Sequence, residues 1–531
     1  MGRSPGRSLV GRHIRGDPRR DTVVRVRSDG DTELEPESES TRATDPSATE
    51  DVGTGGFFAD ERRLAFWFLL AVGTAYFVAQ LLLMPLHRPV GWDEAVYLSQ
   101  VSPRLDALFM EAWHSRGITL LVAPVTALGG SVPDVRLFLM VSSAAAMALV
   151  FKLWIPVIGL AAPIAAFLFS FTWLALFNGS VVMPNLWAAI LGVGLAACVV
   201  RRLEGGTLTY ALLAVGMLAA MALVRPTEAT VVAGAIGLCV ILIRRTSWRL
   251  VLGLGVGLVL GWLPWIIEMS IRFGGFRNAL RVANSQGHLT AVPVTDHALA
   301  YLGFMYGRAK LPVVGRPTAG LLWLGLLVIL AAVALRRRVD APGRAVALLA
   351  TVTALALAVE YIVLVSFIAS RFLLPAYAFA AIPAAIGLRS LLRDGLPARI
   401  LGIVVVVAMV PWAVWQGQVA VRVEARESRG GARFAAAGLL LRDLAGGRPC
   451  SFVSPGAYPQ IHLASGCDGR QLTFPPRPTR AQWAAVGRGD EVFMILPSEA
   501  QAGSRLAPLS PIRFKAPKRT WFIYRLSEAR R

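Results

Sequence analysis

The sequence predicts an all-α polytopic membrane protein with about eleven transmembrane helices, followed by a small α/β domain. The chain is 55% hydrophobic and only 16% charged, with a mean hydropathy of +0.56, whereas soluble domains carry about a quarter charged residues. Apolar windows of roughly 17 to 25 residues recur from Leu64 to Trp415, and each is long enough to cross a hydrocarbon core about 30 Å thick.

Polar connections separate the predicted spans. Span seven carries Gly253, Gly257 and Gly261, a repeat of small residues that favours close helix packing in lipid. The predicted spans are 64–84, 133–151, 154–177, 182–200, 209–224, 229–243, 249–268, 319–335, 345–368, 372–388 and 399–415.

Arginine lies mainly in alternate connections, which is the positive-inside pattern of a plasma-membrane protein with a cytoplasmic amino terminus. This orientation accounts for most of the net charge of +21, so nucleic-acid binding is not predicted. The basic connections contain Arg201, Arg202, Arg244, Arg245, Arg249, Arg336, Arg337, Arg338, Arg344, Arg389, Arg393 and Arg399. The outer connections are then 85–132, 178–181, 225–228, 269–318 and 369–371.

Both ends of the chain differ in composition from the apolar centre, residues 61–418. Residues 1–60 are rich in arginine and then acidic, with few large apolar side chains, which predicts a disordered cytoplasmic tail. Residues 421–531 contain a helical stretch with a glycine stop and strand candidates in "CSFVS", "EVFMILP" and "TWFIYRL", which predicts an α/β domain. An odd number of spans places this domain outside the cell.

The four cysteines divide between these two parts. Cys198 and Cys239 lie within predicted spans. Cys450 and Cys467 lie in the domain predicted to be extracytoplasmic, where a disulfide between them is chemically allowed. Two free thiols are the alternative, because spacing alone does not decide it.

Two adjacent acids follow the first span in the stretch "GWDEAVYLSQ". One interpretation is structural: Asp93 caps a helix, and Glu94 lies favourably at the positive helix end. The other is functional: a carboxylate at the membrane surface is a general base that deprotonates an acceptor hydroxyl. Position alone leaves both open.

Further motifs follow on the predicted outer side: "VMP" at the third outer turn, "VRPTE" at the fifth and "SRFLLPAY" at the ninth. With "WDEAVY", these residues resemble the GT-C superfamily of integral-membrane glycosyltransferases, in its protein O-mannosyltransferase and aminoarabinose-transferase branch. The resemblance covers about residues 64–415.

The resemblance implies transfer of a hexosyl or pentosyl group from a polyprenyl-phosphate-sugar donor to a hydroxyl acceptor. The reaction is expected on the outer face, with inversion at the anomeric carbon. Asp93 matches the catalytic base and Glu94 its neighbour. The acceptor is a glycan, glycolipid or protein of the cell envelope, membrane lipids are the remaining partners, and neither a cofactor nor a metal is expected.

An inverting displacement also needs cationic groups on the departing lipid phosphate. Arg371, at the outer end of span ten, is the first candidate, because its planar fork matches phosphate oxygens; a snorkelling role is the alternative. His114 and Arg116 follow, with solvation of an interfacial helix as their alternative. The remaining candidates are Tyr97, Tyr306, Arg308 and Lys310.

One further match and two departures complete the comparison with the family's motifs. Arg225 matches an arginine-proline corner, for which capping beside Pro226 is favoured over substrate contact. Many relatives have an acid after the outer methionine-proline, where this chain has Asn185. The stretch "WHSRG" replaces a common histidine-proline pair.

The loop 269–318 is a candidate lid that orders on donor binding.

Three other functions remain as alternatives. A transporter or flippase of lipid-linked sugars also needs many spans, but it usually carries charged residues within them. The spans predicted here are nearly free of charge, with Glu360 as an exception. A non-catalytic scaffold is disfavoured by the retained Asp93, Glu94 and Arg371. A ligase that uses an oligosaccharide-pyrophosphate donor shares the same outer-face chemistry.

Overall fold

The computed structural model describes residues 54–243, 248–285, 294–304, 318–336, 339–365, 368–454, 456–471, 478–501, 506, 508–515 and 520–530. Within this part of the chain, Gly55–Arg531 form one compact unit. The predicted tail, apart from its last residues, lies outside the described residues.

Helices dominate the structure. The amino-terminal helices are α1 (Thr54–Leu83), α2 (Trp92–Ser99), α3 (Gly117–Ala127), α4 (Val132–Lys152), α5 (Ile155–Ile158), α6 (Ala161–Ser170), α7 (Trp173–Asn178), α8 (Pro184–Leu203), α9 (Leu208–Val224) and α10 (Pro226–Ile243). The later helices are α11 (Trp248–Phe273), α12 (Phe276–Ser285), α13 (Val294–Phe304), α14 (Thr318–Ala334), α15 (Ala341–Val359), α16 (Leu374–Arg393), α17 (Leu396–Ala445), α18 (Tyr458–Ser465) and α19 (Arg480–Gly487). A π-helical turn, Glu360–Leu364, follows α15, and a 3₁₀ turn, Ser370–Leu373, precedes α16.

Among the described residues, seven helices are long and apolar enough to cross a membrane. They are α1, α4, α8, α11, α15, α16 and α17. Shorter apolar helices, among them α3, α6, α9 and α10, pack with them. The polytopic helical fold is therefore confirmed, whereas the count of eleven spans is not.

The predicted span 154–177 is wrong as a continuous helix. Gly159 adopts φ 55°, a conformation that side chains disfavour, and it ends α5. A second break at Phe171 separates α6 from α7, whose N-cap Thr172 accepts a hydrogen bond from the Ala175 amide at 3.2 Å. Apolar composition alone did not reveal these breaks, because every segment remains buried.

The last span also differs from its prediction of 399–415. It is the beginning of α17, a continuous helix of 50 residues that is about 75 Å long. Because a hydrocarbon core is only about 30 Å thick, α17 extends far beyond the membrane. It passes without a break through the predicted boundary at residues 418–421 and ends at Gly446, which has the left-handed conformation of a glycine stop.

The glycine repeat of α11 lies against α9. A Cβ atom on Gly257 would lie 2.7 Å from the Val215 carbonyl oxygen, and one on Gly261 would lie 2.3 Å from that of Ala219. Both distances are shorter than van der Waals contact with a backbone atom. The repeat therefore brings the two helix backbones together, as the sequence predicted.

Ion pairs mark the end of the bundle opposite the acidic motif. Glu61, near the start of α1, accepts hydrogen bonds from Arg389 and Arg393 in the last turns of α16, both at 2.7 Å. Because α1 and α16 run in opposite directions, the end of α1 and the start of α16 meet at the other end. That is where the chain carries the motifs of Asp93 and Arg371.

The C-terminal part contains a five-stranded sheet of order β2-β1-β3-β5-β4. Its strands are β1 (Cys450–Ser454), β2 (Asp468–Gln471), β3 (Glu491–Leu496), β4 (Ile512–Lys515) and β5 (Thr520–Arg525). Strand β1 pairs in parallel with β2 on one side and with β3 on the other. Strand β5 runs antiparallel to β3 and β4. All three predicted strands are present. Cys450 and Cys467, for which the sequence left a disulfide or two free thiols open, form a disulfide, with Cα atoms 4.8 Å apart.

This C-terminal part packs directly against α2, the helix of the acidic pair. Trp92 contacts Tyr458 of α18 edge to face, with ring centroids 6.0 Å apart. The ring of His462 bridges two backbone carbonyl oxygens, with its Nε2 at 2.9 Å from Asp106 and its Nδ1 at 2.7 Å from Cys467. A buried cluster shared by α2, α17, α18 and the sheet completes the contact. Helix α2 is thus held from the side that faces away from the bundle.

We expect Gly261→Ala to destabilise the protein by about 1–3 kcal/mol, because the new methyl group meets backbone that moves only if α9 and α11 separate. The matched control is Gly255→Ala on the same helix, where a Cβ atom has no neighbour within 4 Å. Thermal unfolding in detergent measures both. Equal midpoints for the two variants would contradict the close packing.

Candidate active site

The acidic pair lies at the start of α2. Gly91, in extended conformation, is the residue that precedes the helix, and Trp92, Asp93 and Glu94 form its first turn. Both acids therefore lie at the positive helix end, where negative charge is favourable. Successive residues of a helix point about 100° apart, so the two carboxylates face different surroundings.

Glu94 faces inward and is 3% exposed. Its Oε2 accepts a hydrogen bond from the Gly91 amide at 2.9 Å, and its Oε1 accepts one from the Val182 amide at 3.2 Å. The Arg136 guanidinium lies 3.2 Å from Oε2. Capping, which the structural interpretation assigned to Asp93, is therefore performed by Glu94.

Arg136 is a buried arginine of α4 that the sequence did not single out. Besides Glu94, it donates hydrogen bonds to the carbonyl oxygens of Ser180 at 3.2 Å and Arg88 at 3.3 Å. These partners belong to the turn before α8 and the loop before α2. The guanidinium therefore joins the outer connections that follow predicted spans one and three. Its signal in the sequence was a basic residue inside the predicted span 133–151, two positions after Asp134.

Asp93 faces an open part of the site. Its Oδ2 accepts a hydrogen bond from Arg371 at 2.8 Å, and the two side chains are 28% and 29% exposed. Its Oδ1 lies 3.8 Å from Nε2 of His114. Burial raises the pKa of Asp93, but His114 and the positive charge of Arg371 outweigh that effect and lower it below its usual value. The carboxylate is therefore ionised at neutral pH.

His114 is buried, with 2% of its surface exposed, which contradicts the interpretation that it solvates an interfacial helix. Its Nδ1 accepts a hydrogen bond from the Glu111 amide at 3.1 Å. The imidazole stacks against the indoles of Trp92 and Trp113, with centroids 5.6 and 5.9 Å away. The ring is thus held by two indoles and by one nitrogen.

Arg116, the second candidate of this loop, has protein partners of its own. It binds Glu268 of α11 through two nitrogens, at 2.6 and 3.0 Å. It also donates to the Glu111 carbonyl oxygen at 3.0 Å and lies 4.5 Å over the Trp265 ring. These contacts fix the loop to α11. Arg116 is therefore not the solvated side chain that the alternative interpretation expected.

Tyr97 lies one turn further along α2 and is 4% exposed. Its hydroxyl oxygen accepts a hydrogen bond from the Ser115 amide at 3.2 Å, and its ring contacts His114 edge to face at 5.6 Å. Burial raises the pKa of Tyr97, so the phenol stays neutral. The structure therefore places this candidate behind His114, where it supports the loop.

A second group of polar side chains surrounds Glu228, which is fully buried at the start of α10. Its Oε1 accepts hydrogen bonds from Arg225 at 2.9 Å and from the hydroxyl of Tyr361. Asn185 lies 3.5 Å away through its amide nitrogen. Position 185 itself has no carboxylate, but Glu228 of the "VRPTE" motif places one next to it. The sequence had pointed only to Arg225 in that motif.

One aromatic ring joins the two groups. Phe372 stacks on Tyr361 with centroids 4.8 Å apart. The guanidinium carbons of Arg225 and Arg371 lie 5.3 and 5.4 Å from the Phe372 centroid. Two arginines from opposite parts of the sequence therefore flank one ring beside Asp93, and Arg225 contacts more than the turn at Pro226.

Three predicted phosphate contacts, Tyr306, Arg308 and Lys310, lie outside the described residues, as does part of the candidate lid. Among the residues that the structure describes, no group of three or more His, Cys, Asp or Glu side chains is placed to hold a metal ion.

An apolar surface lies on one face of α11, next to the Arg116–Glu268 pair. It is formed by Leu260, Leu263, Pro264, Ile267, Glu268, Ile271 and Arg272.

Comparison with known proteins rests on structure alone. No protein-family profile matches the chain, and no curated protein matches it in sequence. ArnT from Cupriavidus metallidurans matches in the apo state with a TM-score of 0.61 and 14% identity, over 88% of this chain and 99% of ArnT. ArnT bound to undecaprenyl phosphate matches with a TM-score of 0.59 and 15% identity, over 89% and 98%.

A larger protein matches as well. The arabinofuranosyltransferase AftD from Mycobacteria has a TM-score of 0.52 and 15% identity, over 86% of this chain and 39% of AftD. ArnT and AftD are GT-C glycosyltransferases. At these identities the likeness concerns the fold, and the chain has the GT-C fold.

Proposed function

We propose that the chain is a glycosyltransferase that transfers a sugar from a polyprenyl-phosphate-sugar donor to a hydroxyl group of a cell-envelope acceptor. One observation carries the proposal: Asp93 and Arg371, 278 positions apart, meet at 2.8 Å with both side chains partly exposed. A base and a phosphate-binding cation lie side by side at one end of a GT-C fold.

The proposed reaction is a single displacement. The acceptor oxygen attacks the anomeric carbon, and Asp93 takes the proton of the acceptor hydroxyl. The bond between the anomeric carbon and the phosphate oxygen breaks, and its electron pair leaves with the polyprenyl phosphate. Attack opposite the leaving group inverts the anomeric carbon.

Arg371 has two roles in this scheme. In the structure it donates to Asp93 from one terminal nitrogen, which stabilises the ionised base but weakens its basicity. The donor phosphate is a diester with one negative charge, as a carboxylate has, but its two free oxygens accept a bidentate contact from arginine, and further negative charge develops on it as the sugar leaves. Donor binding would therefore draw Arg371 toward the phosphate and raise the pKa of Asp93 as the reaction begins.

The lipid nature of the donor rests on two supports. ArnT, of the same fold, has been solved with undecaprenyl phosphate. In this chain, the apolar face of α11 offers a surface for a prenyl chain, and it includes Arg272. Arg272 in turn shares Glu268 with Arg116 of the active-site loop. A donor with a long apolar tail and an anionic head matches both surfaces.

We also propose that the active site and the C-terminal part lie on the extracytoplasmic face. The disulfide between Cys450 and Cys467 suits an oxidising compartment. The arginine-rich connections suit the opposite, cytoplasmic face.

Asp93→Asn is expected to lower sugar transfer by at least about 10²-fold, because the amide cannot take the acceptor proton. Binding of undecaprenyl phosphate should be retained, since Arg371 is then free of its carboxylate partner. The measurements are turnover with defined polyprenyl-phosphate sugars and lipid binding by the purified protein in detergent. Unchanged turnover would exclude Asp93 as the base.

Glu94→Gln is the matched comparison for this variant, on the adjacent residue. It leaves the buried Arg136 without its charge partner, and breaking such a pair costs about 3–5 kcal/mol. We therefore expect loss of folded protein in gel filtration, whereas Asp93→Asn remains folded. A stable Glu94→Gln protein that has lost only turnover would instead favour a catalytic role for Glu94.

The orientation is tested with a membrane-impermeant maleimide on intact cells. If the disulfide is extracytoplasmic, labelling of Cys450 should require prior treatment with an impermeant reductant. The buried Cys198 and Cys239 should stay unlabelled in both conditions. A Cys450→Ser/Cys467→Ser variant gives the background, and absence of labelling after reduction would contradict the proposed orientation.

A further inference from the structure

We infer that His114 is a positioning residue that holds Asp93 through its Nε2–H once the donor phosphate has drawn Arg371 away. This inference rests on the proposed function. It assigns to His114 a contact with the base, in place of the phosphate contact that the sequence suggested.

The tautomer of His114 follows from its surroundings. Its Nδ1 accepts a hydrogen bond from the Glu111 amide, so this nitrogen carries a lone pair and no proton. A neutral imidazole has one N–H, and it must therefore be on Nε2. The backbone at Glu111 thus determines which nitrogen presents a proton to Asp93.

The Nε2–H points into the site without a partner of its own. It is buried, has no hydrogen-bond partner in the structure, and lies 3.8 Å from Oδ1 of Asp93. This distance is too long for a hydrogen bond. A buried donor without an acceptor is unfavourable, so a shift of the Asp93 carboxylate toward His114 is favourable as soon as Arg371 releases it.

The position of the ring is well defined. Trp92 and Trp113 stack against the imidazole, and Tyr97 contacts it edge to face. Because three aromatic rings pack against the imidazole, we expect the carboxylate to be the group that moves. Asp93 is 28% exposed and has the freedom to do so.

Replacement of Arg371 by His114 as the partner of Asp93 would keep the base oriented during the reaction. Without a second partner, Asp93 would lose its orientation when Arg371 turns to the phosphate, and a misplacement of 1 Å costs about 10²-fold in rate. A neutral N–H donor keeps the carboxylate ionised and oriented. It does so without the full positive charge of Arg371, which makes the carboxylate a weaker base.

Three substitutions separate this role from simple packing. His114→Gln places an amide N–H near the position of Nε2, His114→Asn places it near Nδ1, and His114→Ala removes it. We expect the Asn and Ala variants to lose about 10²-fold in kcat, with the donor KM nearly unchanged. The Gln variant should recover at least about tenfold of that loss.

The pH profile gives a second readout. Groups that face Asp93 are Arg371, Arg225, His114 and Tyr97, with Glu111 nearby. Since His114 lowers the pKa of Asp93, its removal should raise that pKa. Activity that needs the ionised base is lost as pH falls through this pKa, so the acid limb of kcat, which reports the complex with donor, should move to higher pH in His114→Asn and less in His114→Gln.

Equal kcat and equal profiles for the Gln and Asn variants, in protein that remains folded, would overturn the inference. A raised donor KM with unchanged kcat would do so as well, because it would return His114 to phosphate binding.

A measurement without turnover keeps this test separate from the proposed function. In ¹⁵N-histidine-labelled full-length protein at about pH 8, where imidazoles are ordinarily neutral, the signal absent from His114→Gln identifies His114. We expect an Nε2–H tautomer whose shift changes when undecaprenyl phosphate is added to the wild type but not to Asp93→Asn.

If no polyprenyl-phosphate sugar supports transfer, the proposed function fails, and the spectra still decide whether His114 contacts Asp93. A shift that is the same in Asp93→Asn and wild type with the lipid would refute the contact.

Discussion

The buried ion pair between Glu94 and Arg136 is the interaction on which the site depends. It joins α2, α4 and the turn before α8, with side chains that are 3% and 1% exposed. Two charges in such a position are favourable only when hydrogen bonds compensate for their burial. Backbone groups supply bonds to both carboxylate oxygens of Glu94 and to both terminal nitrogens of Arg136. The neighbouring Asp93 is thereby presented to the open side. Two adjacent carboxylates thus serve different purposes because helix geometry turns them apart.

The rest of the site is assembled from distant segments around Asp93. Its charged groups differ in how firmly they are held. Glu94 and Glu228 are buried within several contacts, whereas Asp93 and Arg371 share one hydrogen bond and are partly exposed. An incoming phosphate competes most easily with the exposed pair. Substrate binding and activation of the base would therefore be linked through one arginine.

The C-terminal part contributes to this arrangement through α17 and α18. Helix α17 approaches the loop before α2 so closely that a Cβ atom on Gly431 would lie 2.7 Å from Pro89. Tyr458 contacts Trp92 of α2, and His462 contacts the loop that follows α2. A helix of eight residues has little stability alone. Its position depends on the helical bundle on one side and on the sheet domain on the other.

The sequence by itself determined the polytopic helical fold, the sheet strands and the glycine-mediated packing of α11, and it singled out Asp93 as a candidate. Each depends on local composition or periodicity, which a chain carries without its tertiary contacts. Only the tertiary structure decided that Glu94 is buried, that Arg136 and Glu228 belong to the site, and that His114 presents Nε2. Those outcomes depend on which side chains meet across tens to hundreds of positions. Because the energy of a charged group is decided by burial and partners, no local pattern determines it.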